Sequence, residues 1–299
     1  MDIVVFGAGS LGSLVGGLLA REHDVTLVGR NPHVERIEGD GLTIDGQLDV
    51  RVTPTATTDG TDLTADLAVV AVKAFDTDAA ARTLATGSFD AALSLQNGMG
   101  NEATLASHID CPVLAGTITY GAMLVAPGRV ECTGIGHLVV GPRDGGTDPL
   151  ADHTGAAFDA AGIETTVATD MPRRLWRKLA VNAAINPITA LARVENGAIL
   201  DSPAADIAAS AARETARVAR ADGVELADHD AVAALESVAS ATADNRSSML
   251  QDVENDSRTE VDAISGYVVD RAEEVDVKTP TNRTLAGAIR AWESGRGLR

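Results

Sequence analysis

Asp2-Ile3-Val4-Val5-Phe6-Gly7-Ala8-Gly9-Ser10-Leu11-Gly12 is the stretch that decides the fold. Residues 2–6 are a short apolar run of strand-forming residues, and an uncharged helical stretch follows the last glycine to about Arg21. In Gly7-x-Gly9-x-x-Gly12 the first glycine permits a tight turn. The second lets backbone approach a pyrophosphate, and the third lets the helix pack closely on the strand. The helix N-terminus then offers N–H groups and the positive end of its dipole to the phosphates. A lone GxGxxG is weak evidence, but directly after a first strand it stands in its expected context. The competing reading is an ordinary βα turn.

Working outward, 24–29 is a second strand pattern, and 42–44 with 48–52 form a hairpin around Asp45-Gly46. Two buried-strand patterns, 66–72 and 91–95, flank an Ala-rich helix. Residues 113–119 are another strand, 130–140 read as a hairpin across the glycines at 134 and 136, 150–161 as a helix, and 163–168 as a strand. Alternation of this kind predicts an α/β fold with a parallel, doubly wound Rossmann-type sheet. After Met171-Pro172 the strand signals stop, and 173–193, 204–222, 229–253, 258–275 and 281–294 all read as helices. The expected organisation is a Rossmann-type domain over 1–168 and an all-α substrate and catalytic domain over 169–299. The Gly/Pro-rich stretch 141–149 is a rival boundary, rejected because a further helix and strand follow it.

Composition narrows the function. The 299 residues carry 24 Lys plus Arg against 43 Asp plus Glu, a formal net charge of −19. Such a chain repels nucleic acids and anionic membranes unless its cations are clustered. Only Lys73, Lys178 and Lys278 are lysine. Scarce Lys among abundant Asp, Glu, Ala and Thr resembles the halophilic composition of proteins from salt-loving microbes, in which salt screens acidic self-repulsion. Cys111 and Cys132 have no metal-ligand or redox spacing, the six His are scattered, and no metal site is expected. The first residues run straight into a strand and no 18-residue apolar run occurs, so neither a signal peptide nor a membrane span is read and a cytoplasmic location is expected. Oligomeric state is left open, with a homodimer among the options.

Site candidates follow from position and spacing. A dinucleotide site preferring NAD usually ends its second strand with an acid, which would repel a 2′-phosphate. Here Arg30 stands at that point, and Lys73 ends a later strand in Val72-Lys73-Ala74-Phe75-Asp76-Thr77. Two of the few cations of the N-terminal half thus occupy the carboxyl edge of the sheet, which favours NADP(H). A solvated loop Arg and an incidental Lys remain the plain alternatives. Asn97, in Gln96-Asn97-Gly98, lies at the same edge, although Asn-Gly is also a common turn pair. In the helix after Pro172, Lys178, Asn182 and Asn186 are spaced i, i+4, i+8 among apolar neighbours. They fall within about 80° of one face, about 6 Å apart along the axis. A polar stripe cut into a buried helix needs partners, which are either a bound polar ligand or a structural network. Pro187 is expected to bend or break the helix after Asn186. Arg173, Arg174, Arg177 and Lys178 form the densest basic cluster, suited to drawing in an anion. Further on, Ser248 and Glu260 stand twelve apart, and Ser257-x-x-Glu260 doubles as a capping-box pattern.

The residues quoted above, read in order, resemble the ketopantoate reductase family over essentially the whole chain. The matching pieces are GAGSLG at 7–12, Arg30, VKAFDT at 72–77, QNG at 96–98, WRKLAVNAAINPITAL at 176–191, ENG at 195–197, SSMLQD at 247–252 and TEVDAISG at 259–266. The resemblance implies that NADPH delivers hydride to the ketone carbon of a small 2-oxo acid, giving D-pantoate on the coenzyme A pathway. It implies that Lys178 is the general acid, with Glu260 counted beside it, and that Asn97, Asn182, Asn186, Asn196, Ser248 and Glu260 bind substrate. By the same resemblance Gly7, Ala8, Gly9, Ser10, Leu11 and Gly12 form the cofactor loop. Asn97 lies beside the nicotinamide, and Arg30 and Lys73 hold the 2′-phosphate. Two departures stand out: 253–258 lack the glycine often seen before the TEVD segment, and Ala183 stands where Cys or Ser is common. A reductase for another 2-oxo or 3-hydroxy acid is the runner-up. A non-catalytic NADP-binding regulator is third and would be expected to have lost Lys178 or Glu260.

Overall fold

The computed structural model describes residues 1–299 and separates into two compact units. One comprises 1–96 and 101–171; the other comprises 97–100 and 172–299. The short excursion at 97–100 is what a boundary drawn near 169 does not anticipate.

The first unit runs β1 (Asp2–Phe6), α1 (Ser10–Leu19), β2 (Asp24–Val28), α2 (His33–Asp40), β3 (Leu42–Gly46), β4 (Val50–Val52), β5 (Thr55–Thr57) and β6 (Thr64–Val70). It continues with α3 (Thr77–Leu84), β7 (Ser88–Ser94), α4 (Asn101–Ala106), β8 (Val113–Ile118), β9 (Gly121–Ala126), β10 (Arg129–Gly134), β11 (Leu138–Pro142), α5 (Pro149–Ala160) and β12 (Thr165–Val167). Eight strands form one sheet in the order β12-β11-β8-β7-β6-β1-β2-β5. From β8 to β5 the pairings are all parallel, whereas β11 runs antiparallel to β8 and carries β12 parallel to itself. The chain leaves β1 toward β2 and later returns to pair β6 on the other side of β1. β1 is thus the topological switch point, and the carboxyl ends of β1, β2 and β6 are where such a sheet receives a ligand.

A second sheet, β4-β3-β10-β9, covers α1. This explains a helix without a single charge: every residue from Gly12 to Leu19 is buried. A Cβ on Gly17 would sit under 3 Å from the side chains of Ile44 and Leu42. It also corrects the hairpin expected over 130–140. β10 pairs antiparallel with the preceding strand β9 through the Pro127-Gly128 turn, while β11 crosses to the main sheet. Gly134 and Gly136 flank a change of sheet, not a turn. Turn and crossover use the same small residues, but Pro127-Gly128 was the legible turn signal.

The second unit is helical: α6 (Met171–Ala192), α7 (Ala205–Ala221), α8 (Asp228–Ala241), α9 (Ser248–Glu254), α10 (Tyr267–Glu274) and α11 (Pro280–Gly295), with a 3-10 turn at Asn196–Ile199 and a π turn at Asp262–Gly266. Its core gathers Trp176, Leu179, Ile185 and Ile188 of α6 with Ala216 and Val218 of α7 and Val268 of α10. Three sequence expectations change here. The helix read over 229–253 stops at Ala241, and Ser247 caps a new one by accepting from the Leu250 N–H. The helix read from 258 starts only at Asp262, so the Ser257–Glu260 capping box does not form. Pro187 does not break α6, which runs unbroken to Ala192. Proline removes one ladder bond, but Ala184, Ile185, Ile188 and Ala190 around it are all buried, and their packing holds the turns on both sides. No helix in the chain is long and apolar enough to cross a membrane.

Candidate active site

In the first unit, the glycine loop leaves β1 with Gly7 at φ +108°. A Cβ there would stand 2.6 Å from the Val72 backbone nitrogen, and one on Gly12 would stand 2.1 Å from the Gly7 carbonyl. Both positions exclude any larger residue. Gly9 differs: a Cβ there would meet nothing within 4 Å, and no side chain caps α1 at this residue. The loop thus keeps space and uncapped helix N–H groups where a pyrophosphate would lie. Ala8 is buried and donates its N–H to the Val28 carbonyl, as does Gly7, tying the loop to β2. Ser10 accepts the Leu124 N–H at 3.0 Å, which brings β9 onto the loop. Leu11 is partly buried against the core of this unit. Sequence reading did not find the Leu124 contact, because β9 itself was not recognised.

Arg30 follows β2 and Lys73 follows β6, on either side of β1. The structure joins their segments: the Arg30 guanidinium donates to Asp76 at 3.2 Å, three residues beyond Lys73. Arg30 is highly exposed, so it is available to a ligand. Asp76 was not singled out in the sequence; it places an acid beside the cation expected to read a phosphate. His33, directly after the cis Asn31–Pro32 pair, is buried. Its Nδ1 accepts the Gly128 N–H at 2.9 Å, so Nε2 carries the proton donated to Ser13 Oγ at 2.9 Å. This bond pair pins α2, α1 and the β9–β10 turn together. Burial holds the His33 pKa below the usual imidazole range.

The second unit holds the other constellation. Lys178 and Asn182 of α6 are half-buried and Asn186 is buried. Trp176, two residues from Lys178, packs its ring 5.9 Å from that of Tyr267 at the start of α10. Tyr267 also lies against Gly100, since a Cβ there would come within 3.4 Å of its ring. The 97–100 loop is locked further along. The Met99 N–H donates to the Ala263 carbonyl of the π turn, and Gly98, at φ +83°, approaches that carbonyl so closely that a Cβ would lie 2.5 Å away. Asn97 Nδ2 then donates to Glu260 Oε2 at 3.4 Å. Tertiary contacts thus pair Asn97 with Glu260 and bring their segments, through Tyr267, against Trp176 of α6. π turns inside helices often mark functional sites, and this one has no signature in the sequence.

At the other end of the stripe, Thr189 Oγ1 meets Ser247 Oγ at 2.7 Å and donates to the Asn186 carbonyl at 3.1 Å. Ser247, not Ser248, makes the buried bond; Ser248 is the exposed first residue of α9 beside it. Asn196 is buried, with its Nδ2 donating to Thr242 Oγ1 at 3.0 Å and its Oδ1 unpartnered. The basic cluster is less open than its sequence suggests, because Arg173 pairs with Asp230 at 3.2 Å and donates to the Glu225 carbonyl.

Residues 3–145 match the family model described as ketopantoate reductase PanE/ApbA, and residues 170–293 match the model of its C-terminal domain. The chain belongs to the ketopantoate reductase family. It is therefore an oxidoreductase. Among its relatives is a 2-dehydropantoate 2-reductase of Halobacterium salinarum, 43% identical over 97% of this chain and 98% of that one. The corresponding protein of Archaeoglobus fulgidus is 40% identical over 98% of each. Among solved structures, a ketopantoate reductase family protein of Ralstonia eutropha superposes with a TM-score of 0.90 at 32% identity, covering 99% of this chain and 100% of the other. D-mandelate dehydrogenase bound to NADH and anilino(oxo)acetate shares the family's fold, with a TM-score of 0.92 at 23% identity, over all of both chains.

Proposed function

We propose that the protein is an NADPH-dependent ketopantoate reductase that converts 2-dehydropantoate to D-pantoate in the cytoplasm, on the route to pantothenate and coenzyme A. The observation that carries this reading is the Lys178–Asn182–Asn186 stripe, half-buried at its first two positions and buried at the third, on a helix whose Trp176 packs against Tyr267 beside the segments that carry the Asn97–Glu260 pair. Relatives named for this reaction, one of them 43% identical, support the substrate assignment.

Reducing a 2-oxo acid requires a proton donor at the ketone oxygen and a clamp for the rest of the anion. Lys178 supplies the first. Its ammonium stabilises negative charge as it develops on oxygen and then donates the proton, regaining one from solvent after turnover. Half-burial among apolar neighbours strengthens that attraction by lowering the local dielectric. Asn182 and Asn186 offer amide donors and acceptors one and two turns along the same face, with Ser248 and Asn196 completing the substrate contacts. Glu260 orients substrate hydroxyls and, through Asn97, the 97–100 loop. In the first unit the open space at Gly9 and the uncapped α1 terminus suit a pyrophosphate, and Arg30 with Lys73 suits a 2′-phosphate. When bound, the dihydronicotinamide supplies the hydride that the carbonyl carbon accepts.

The test is NADPH oxidation by the purified protein with ketopantoate, 2-oxoisovalerate and benzoylformate, at low and high salt. Turnover fastest with ketopantoate is expected. No turnover with it alongside turnover of another oxo acid would replace the substrate, and no turnover with any would favour a binding role.

A further inference from the structure

Glu293 of α11 is fully buried and far in sequence from every residue assigned above. One of its carboxylate oxygens accepts both the N–H and the hydroxyl of Thr259, at 2.8 and 2.7 Å; the other accepts from Arg299 at 2.6 Å. Thr259 immediately precedes Glu260, and its hydroxyl oxygen accepts the Val261 N–H just beyond. The same helix grips the segment a second time, for Arg290 donates to Asp262 at 2.8 Å, and Arg299, beyond the end of the helix, reaches its other oxygen at 2.8 Å. Burial pushes the Asp262 carboxyl up, but hydrogen bonds from Arg290 and Arg299 outweigh it and hold the group below the usual range. The turn so held carries Glu260 and leads into the π turn that docks the 97–100 loop.

Residues 258–260 lie outside any helix, and Glu260 stands at the threshold of the π turn, its carbonyl accepting the N–H groups of Ala263 and Ile264, so the turn before it sets its direction. We propose that Glu293 is a positioning residue: through Thr259 it fixes the backbone from which Glu260 addresses substrate. The inference rests on the reading of Glu260 as a substrate ligand. A buried carboxylate is costly unless fully hydrogen-bonded, and three bonds satisfy it, two from Thr259 in this turn and one from Arg299. Glu214 provides an internal comparison. It is equally buried and also accepts three bonds, but from Thr281 and Asn282 at the opposite end of α11.

The experiment is steady-state kinetics with saturating NADPH and varied ketopantoate on the full chain, with thermal melts alongside. Glu293→Gln should raise KM about 3- to 10-fold, the scale of one lost buried hydrogen bond, and Thr259→Val at least as much, because its hydroxyl also accepts the Val261 N–H, both with little change in kcat. Thr259→Ser, which keeps the hydroxyl, should restore KM. Glu214→Gln should lower the melting temperature while leaving KM unchanged. Combining Glu293→Gln with Glu260→Gln should raise KM no further than Glu260→Gln alone, because the two act through one contact. A raised KM in Glu260→Gln with unchanged KM in both Glu293→Gln and Thr259→Val would overturn the inference while sparing its premise. If Glu293→Gln does not fold, Thr259→Val against Thr259→Ser decides the matter. An unchanged KM in Glu260→Gln would remove both.

Discussion

Arg30→Ala is the perturbation that separates binding from stability most cleanly. The Arg30 side chain is 88% exposed, and its bond to Asp76, itself 38% exposed, is a surface ion pair. Such pairs contribute about 0–1 kcal/mol, so the melting temperature should move by no more than about 2–4 °C. A charge-assisted hydrogen bond from this guanidinium to a 2′-phosphate contributes about 1.5–3 kcal/mol, equivalent to a roughly 10- to 150-fold weaker Kd for NADPH. NADH, lacking the phosphate, should lose almost nothing. Fluorescence titration of both cofactors into wild type and variant, at about 0.1 M and again at about 1 M salt, measures the difference, which should narrow at high salt because the site is exposed. Asp76→Asn is the complementary arm. Removing an anion beside the phosphate site should tighten NADPH while leaving NADH unchanged. An equal loss for both cofactors in Arg30→Ala would refute the reasoning, since Arg30 would then be acting on the loop and not on the phosphate.

Other expectations follow from the same geometry. Lys178→Ala should lower kcat by about 10²- to 10⁴-fold, the usual contribution of a general acid, while NADPH binding measured by titration persists; near-normal kcat would remove the assignment. Gly98→Ala puts a side chain at φ +83° and 2.5 Å from the Ala263 carbonyl. It should cost about 1–3 kcal/mol and raise KM by displacing Asn97, so an unchanged melt and KM would show that the loop is not held there. Ser247→Ala should lower stability by about 1 kcal/mol through loss of the cap, whereas Ser248→Ala should leave the melt intact and raise KM. The reverse pattern would exchange their roles. His33 is held neutral by burial, its folded pKa lying below 6.5. Its stabilisation is therefore complete above the unfolded pKa and is lost as pH falls through the folded one. Melts between pH 8 and 5 should steepen in wild type relative to His33→Gln, and parallel curves would dismiss that coupling.

Local pattern accounts for what was legible in advance. The uncharged α1 sequence, the apolar run before it and the glycine spacing define a βα unit from neighbours alone, and the end of strand signals at Met171-Pro172 marks the change to helices. The Lys178–Asn182–Asn186 stripe is equally local, because helical periodicity places i, i+4 and i+8 together whatever surrounds them. The elements that were misread depend on partners far along the chain. Whether a glycine pair turns a hairpin or carries a strand between sheets depends on which strand lies opposite, and β10 found β9 and β3, not β11. Pro187 stays helical because buried neighbours offset one missing bond. Most of all, Ser257-x-x-Glu260 supports two readings on spacing alone. Only the long-range contacts of Thr259 with Glu293, and of Asn97 with Glu260, place Glu260 on a gripped, non-helical turn. The sequence by itself determined which residue types sit at which helical or strand phase. The tertiary structure decided which of them meet, because hydrogen bonds across 34 or 163 residues depend on packing that no local period encodes.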